Sequence, residues 1–269
     1  MLGWPVAYSL SPVIHRAAYA HVGLAWTYDW HEVRPEGFGA FLDACGPQWR
    51  GLSITMPLKE VAATSGEGDA DVALTGTANT LVFDDGRRIV RNTDIAGMAD
   101  ALAAAGITGA GAALLIGNGA TARSAAVALH RLGVADLEVM GRNSERVGAF
   151  VDWAAGADMT VRPRTWAATP SAATDLLIST VPSAGLSPLL DQWRFDRLPR
   201  LSAVFDVIYH PWPTPLAAAA SASGVTVVNG LDLLVHQAVH QVRLMTERDV
   251  PADILLSAVR AELLRRAQS

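Results

Sequence analysis

Lysine is almost missing from this chain. One residue of 269, Lys59, is a lysine, against twenty arginines. A guanidinium stays protonated at any ordinary pH, whereas an amine can give up and take back a proton, so Lys59 stands out as a candidate for proton transfer. Cysteine is equally scarce. The single Cys45 excludes any intrachain disulfide, fits a reducing cytoplasm and has no metal-spaced partners. Charge is sparse, with 17% charged residues and a net charge of -5, which leaves no electrostatic footprint for nucleic acid or an anionic membrane. Long apolar runs are also lacking. The alanine-rich stretches at 101–105 and 217–220 are too short to span a bilayer, and Met1 to Leu10 has no basic start and is broken by Pro5. These absences predict a soluble cytoplasmic protein with no nucleic-acid or membrane partner. With 51% hydrophobic side chains, the length suits one or two domains around a large core.

The first hundred residues alternate short apolar runs with helical spacing. Trp26 to Trp30 and Gly51 to Met56 alternate in the manner of strands, and Phe38, Phe41 and Leu42 recur at helical spacing between them. Residues 80–83 and 88–91 read as a hairpin around Asp84-Asp85-Gly86. From Ala112 the texture changes to buried parallel strands separated by helices. Ala112 to Ile116 is continuously apolar, an alanine-rich helix runs from Ala122 to about Leu132, and Gly133 stops it. Further strands are expected at 137–140, 176–180, 203–207 and 225–228, which makes the fold class α/β with a doubly wound parallel sheet. A final helical stripe runs from Leu231 through Leu234, Val235, Ala238, Val239 and Val242 to Met245.

The polar motifs fall at the ends of these elements, where α/β proteins keep their sites. Gly117-Asn118-Gly119-Ala120-Thr121 links a buried strand to a helix, so its backbone amides and the helix N-terminus suit a pyrophosphate; a tight turn without a ligand is the plain alternative. After the next strand comes Gly141-Arg142-Asn143-Ser144-Glu145-Arg146, with no acid in the first positions to hold ribose hydroxyls. Arg142 and Arg146 could bracket a 2′-phosphate, which favours NADP over NAD. Ser9-Leu10-Ser11-Pro12 presents two hydroxyls on one side of an extended segment, with Ser11 as cap of a helix that Pro12 begins; capping alone would also explain it. Around the lysine, a strand ends at Met56, Pro57 opens a helix and Lys59 projects from its first turn. Asn79 and the run Asn92-Thr93-Asp94 follow two further elements. His236 to His240 resembles a zinc helix but has glutamine where the glutamate base is needed, and no metal is expected.

Taken in order, these segments resemble the shikimate dehydrogenase family over nearly the whole chain. The likeness runs through Ser9 to Pro12, Ser53 to Lys59, Ala78 to Thr80, Asn92 to Asp94 and the Gly117 loop. It continues through Tyr209, Thr214 to Leu216, and Gly230 to Gln237. The resemblance implies two domains: an N-terminal α/β substrate domain, discontinuous over 1–93 and 231–269, and a Rossmann NADP-binding domain over 94–230, with the active site in the cleft. It implies that Ser9 and Ser11, helped by Tyr209, hold a carboxylate, and that Thr55, Lys59, Asn79, Asp94 and Gln237 hold ring hydroxyls. Gly117, Asn118, Gly119, Ala120 and Thr121 would cradle the pyrophosphate; Arg142, Asn143 and Arg146 would meet the adenosine phosphate; and Thr180, Val181, Val207 and Gly230 would border the nicotinamide.

The implied reaction is hydride transfer between NADPH and the small molecule 3-dehydroshikimate, giving shikimate, in a monomer or homodimer. Lys59 would be the acid/base and Asp94 would orient it. An unperturbed lysine titrates at about 10.4, so use as a base near neutrality also calls for desolvation. The chain departs from the family pattern at several places. Only Met1 and Leu2 precede Gly3, so either the first strand is short or the chain starts further upstream. Asn118 stands in the glycine loop, Gly141-Arg142-Asn143 replaces Asn-Arg-Thr, and Ser179-Thr180-Val181 replaces Asn-Ala-Thr. Related readings are a quinate or aminoshikimate dehydrogenase, a folate dehydrogenase of similar architecture, and a non-catalytic sensor of a metabolite and NADP. The last would be favoured by loss of Lys59 or Asp94, and both are present.

Overall fold

A computed structural model describes residues 1–268. The chain divides into two compact units, Met1–Gly97 together with the chain from Leu234 on, and Met98–Leu233. The boundaries expected at 93/94 and 230/231 are the points where two helices begin, whereas the units divide a few residues inside those helices.

The first unit opens with β1 (Leu2–Gly3), α1 (Ser11–His21), β2 (His31–Glu32), α2 (Pro35–Asp43), β3 (Gly51–Ser53) and α3 (Lys59–Ala63). It continues with β4 (Glu67–Gly68), α4 (Ala70–Thr75), β5 (Thr80–Asp84), β6 (Arg87–Arg91) and the start of α5 (Asp94–Ala104). Strands β1 and β2 pair in parallel, while a four-stranded sheet has the order β3-β5-β6-β4; Leu2 bridges the two by pairing with Ile54. The β5–β6 hairpin turns on Asp85 and Gly86, both at positive φ (45° and 77°), as a type I′ turn requires. Leu2, Phe38, Leu42, Leu52, Leu58, Leu81 and Val90 form the core beneath these strands.

Two expectations fail here. Trp26 to Trp30 forms no strand: Tyr28 alone is buried, Trp26 and Trp30 are exposed, and pairing begins only at His31. The strand before the lysine ends at Ser53 rather than Met56. Pro57 follows a cis peptide in a turn, and α3 begins at Lys59 itself.

The second unit contains β7 (Ala112–Ile116), α6 (Ala120–Arg131), β8 (Asp136–Met140), α7 (Ser144–Gly156), β9 (Val161–Arg164) and β10 (Leu176–Ser179). After these come α8 (Ser187–Leu190), β11 (Ala203–Asp206), α9 (Pro215–Ala222), β12 (Thr226–Asn229) and the first turn of α10 (Gly230–Thr246). The sheet is parallel throughout, in the order β12-β11-β10-β7-β8-β9. Counted from β7, that is the doubly wound order 3-2-1-4-5-6, whose switch point lies between β7 and β10, where ligands bind outside the strand ends. Strand β9 is absent from the sequence reading because Val161-Arg162-Pro163-Arg164 is polar and contains proline. It lies at a sheet edge, where proline is tolerated. The rest of α10 and α11 (Ala252–Ala267) return to the first unit, where α11 packs along α1.

Candidate active site

Lys59 is the first residue of α3 and Asp94 the first of α5, and the fold joins them. Lys59 Nζ donates to Asp94 Oδ2 at 2.5 Å, and the two side chains are 15% and 7% exposed. Asp94 is fixed locally by Asn92, whose side-chain oxygen accepts from the Asp94 backbone N–H (3.1 Å). Its other oxygen, Oδ1, accepts from Asn79 Nδ2 at 2.7 Å. Asn79 is held in turn. Its Oδ1 accepts from the Thr93 backbone N–H (2.8 Å), and Nδ2 reaches Gln237 Oε1 (3.1 Å). Gln237 comes this close because Gly97 lies against it: a Cβ on Gly97 would stand 2.5 Å from the Gln237 backbone nitrogen. Thus Lys59, Asn79, Asp94 and Gln237, drawn from distant stretches of the sequence, form one cluster in the first unit. A largely buried pair of this kind, with Lys59 still part-exposed, adds little stability, but it holds an ammonium group in a defined direction with N–H donors to spare.

Ser9 and Ser11 form a second polar pair in that unit. Both are buried, their hydroxyl oxygens are 3.3 Å apart, and Ser9 Oγ accepts from the Ser11 backbone N–H (3.2 Å). Ser11 is not the helix cap: it is the first residue of α1, Leu10 holds the cap position without a side-chain bond, and the Ser9 hydroxyl satisfies the free N–H instead. Thr55 is half-buried in the turn before α3, tied by its N–H to Leu2 O and by its carbonyl to the Leu58 N–H.

In the second unit the glycine loop lies at the end of β7. Gly117 has φ +117°, and a Cβ there would meet Thr180 Oγ1 at 2.1 Å, so glycine is required. The Thr180 hydroxyl donates to Ile116 O (3.0 Å), which closes the β10 end against that of β7. Gly119 caps α6, Ala120 and Thr121 form its first turn, and Asn118 lies between the glycines. A Cβ on Gly119 would meet nothing within 4 Å, so space is left above the helix N-terminus. Arg142 and Arg146 are exposed, and neither guanidinium has a protein partner among the described residues. Asn143 is already committed, since its side chain caps α7 by accepting from the Arg146 backbone N–H (2.9 Å). Open amides at a helix N-terminus beside two unpaired guanidiniums fit a dinucleotide carrying an extra phosphate.

Val181, Val207 and Tyr209 are half-buried just beyond the ends of β10 and β11. Gly230 starts α10, and a Cβ there would stand 2.1 Å from Val207 O. The loop carrying Val207 and Tyr209 is fastened by Asp206, whose carboxylate accepts from Thr214 Oγ1 (2.7 Å) and the Ile208 N–H (3.2 Å); burial raises its pKa from the ordinary value, against these two hydrogen bonds.

Behind Asn79 stand residues to which the sequence gives no role: Ser53 and Thr80 fall within motif segments, His15 and Gln241 outside them. His15, Ser53, Thr80 and Gln241 are buried polar side chains hydrogen-bonded to one another, and only their burial distinguishes them.

A parallel sheet of doubly wound order with a glycine loop at its switch point, and a part-buried Lys–Asp pair in the companion unit, define a nicotinamide-dinucleotide dehydrogenase of two α/β units. The chain is 36% identical to the shikimate dehydrogenase (NADP(+)) of Rhodopseudomonas palustris (strain BisB18), over 89% of this chain and 87% of the relative. It belongs to the shikimate dehydrogenase family. Residues 1–81 match the family described as shikimate dehydrogenase substrate binding domain, and residues 230–260 match the shikimate 5'-dehydrogenase C-terminal domain. Among solved structures, the Mycobacterium tuberculosis shikimate dehydrogenase superposes with a TM-score of 0.86 at 37% identity, covering 97% of both chains. The Thermus thermophilus enzyme, solved in complex with NADP(H) and shikimate, gives 0.84 at 29% identity over 97% of both chains.

Proposed function

We propose that this protein reversibly reduces 3-dehydroshikimate to shikimate with NADPH, its first unit binding the substrate and its second the dinucleotide. The single observation that carries the reading is the Lys59–Asp94 pair backed by Asn79. When bound, NADPH supplies the hydride. As the substrate carbonyl oxygen gathers negative charge, Lys59 Nζ gives it a proton, and takes it back in the oxidation. Asp94 keeps one Nζ–H occupied and so directs the remaining two toward substrate. Asn79, Gln237 and Thr55 offer amide and hydroxyl groups to the ring hydroxyls, while Ser9 and Ser11, with Tyr209, accept the carboxylate. Gly117 to Thr121 would hold the pyrophosphate, Arg142 and Arg146 with the Asn143 backbone the 2′-phosphate, and Thr180, Val181, Val207 and Gly230 the nicotinamide side.

No helix among the described residues is long and apolar enough to cross a membrane. With the sparse, acidic charge this supports a cytoplasmic enzyme acting on free small molecules, as a monomer or homodimer, without a nucleic-acid partner. The test is to follow NADP and NAD reduction separately with shikimate and with quinate. Turnover of shikimate with NADP is expected. A clear preference for quinate would replace the substrate assignment, and no turnover with any pair would overturn the reading.

A further inference from the structure

Behind Asn79 lies a layer of buried side chains whose hydrogen bonds run in one direction. The three amides involved are each oriented by a main-chain group. Gln241 Nε2 donates to the carbonyl of Asn79 (3.0 Å), Asn79 Oδ1 accepts from the Thr93 N–H (2.8 Å), and Gln237 Nε2 donates to the carbonyl of Leu234 (2.7 Å). A carbonyl can only accept and an N–H can only donate, so no amide can be flipped without losing a buried bond.

With the amides fixed, the remaining protons follow. Gln241 Oε1 faces His15 Nε2 at 3.1 Å and accepts from Ser53 Oγ at 2.7 Å. An amide oxygen has no proton to give, so the proton between them belongs to His15 Nε2. The Ser53 hydroxyl, spent on Gln241, accepts from Tyr28 OH (2.5 Å). On the other side, Gln241 Nε2 also donates to Thr80 Oγ1 (3.1 Å), and the Thr80 hydroxyl passes its proton to Asn79 Oδ1 (2.9 Å). Asn79 Nδ2 then donates to Asp94 Oδ1 (2.7 Å). His15 and Thr80 are fully buried and Gln241 is 1% exposed, so water cannot substitute for a missing member.

We propose that Gln241 and Thr80 are positioning residues that hold the Asn79 amide with its N–H toward Asp94, and that the same chain fixes His15 as its Nε2–H tautomer. The proposal rests on the reading of Lys59 and Asp94 as the proton-transfer pair. Neither positioning residue touches the pair; they act through Asn79, whose oxygen they help saturate so that its N–H side is the one presented to the carboxylate. Burial keeps His15 neutral, with a pKa lowered to about 3, which a single tautomer requires.

The decisive comparison is Thr80→Val against Thr80→Ser. Valine has the same shape but no hydroxyl; serine keeps the hydroxyl and loses a methyl. Thr80→Val is expected to lower kcat roughly tenfold, with KM for NADP unchanged, and Thr80→Ser to restore most of it. Parental kcat in Thr80→Val, or equal loss in both variants, overturns the positioning role. The second readout needs no activity: nitrogen-15 NMR of the full chain should show His15 protonated at Nε2 and bare at Nδ1, and the opposite tautomer overturns the chain. If the parent itself turns over no shikimate, the function reading has failed. The tautomer then decides the hydrogen-bond chain alone, as it also does should Thr80→Val not fold.

Discussion

Asn79 and Asp94 share a 2.7 Å hydrogen bond at the one carboxylate oxygen that Lys59 does not occupy. Asp94 is therefore held from both sides, and its freedom to turn away from the ammonium group is removed. This double grip fixes the carboxylate that faces the Lys59 ammonium group, at the start of a helix only five residues long.

On the proposed mechanism, Lys59→Ala removes the proton donor while leaving the hydroxyls and amides proposed to bind substrate. Turnover is expected to fall about 10²–10⁴-fold, with a much smaller change in KM, in steady-state assays with shikimate and NADP. Lys59→Arg should fail as well, because a guanidinium keeps its charge but cannot shuttle the proton. Parental kcat in either variant would remove Lys59 from the chemistry.

Gly97→Ala inserts a methyl where Gln237 Cα would be only 2.6 Å away. The methyl would be fixed to the α5 backbone and would meet main-chain atoms of Gln237, so no side-chain rotation relieves the contact and α5 and α10 must separate. A loss of about 1–3 kcal/mol is expected, read as a lower midpoint in thermal unfolding, with a rise in KM for shikimate as Gln237 shifts. An unchanged midpoint would show that the helices tolerate the spacing.

Replacing Arg142 and Arg146 together by alanine removes two cations whose guanidiniums have no partner to lose among the described residues. Folding stability should change by less than about 0.5 kcal/mol. The KM for NADP should rise at least roughly tenfold, with little change in any turnover with NAD. Equal loss with both dinucleotides would argue against a 2′-phosphate contact.

His15 gives the fold an acid-sensitive element. Burial lowers its pKa from 6.5 to about 3, against which the bond to Gln241 works only partly. Between those values the unfolded chain binds a proton that the folded chain refuses. The contribution is therefore complete above pH 6.5 and is lost as pH falls toward 3, at up to about 1.4 kcal/mol per pH unit. Urea unfolding at pH 7, 5 and 4 should show this decline. His15→Gln, although less stable at pH 7 for want of the ring stacked on Tyr28 at 4.1 Å, should show a shallower one.

Much of the second unit is legible in the sequence because its signals are local. Ala112 to Ile116 is apolar without interruption and ends in a glycine that must take positive φ, and Gly133 stops α6 at φ +79°. Strand β9 stays hidden because its arginines and Pro163 carry no apolar signal, and only the edge position makes such a strand admissible. In the first unit, Trp26 to Trp30 alternates like a strand yet pairs with nothing, because alternation says which side chains could face inward but not whether a neighbouring strand is there to bond. Ser9 and Ser11 do meet, but not along an extended segment: Leu10 between them is helical (φ -90°, ψ -5°), and the helix start lies one residue earlier than Pro12 suggests.

The sequence by itself determined which groups could do chemistry: one lysine where arginine cannot serve, a carboxylate in a polar run at an element end, two hydroxyls ahead of Pro12, and a glycine loop between strand and helix. Tertiary structure alone decided that Lys59 meets Asp94, that Asn79 takes the opposite oxygen, and that Thr80 and Gln241, to which the motifs assign no role, stand behind it. The reason is physical. Element type follows from neighbours in sequence, whereas a buried polar side chain must find its partners wherever packing brings them, and those partners come from opposite ends of the chain.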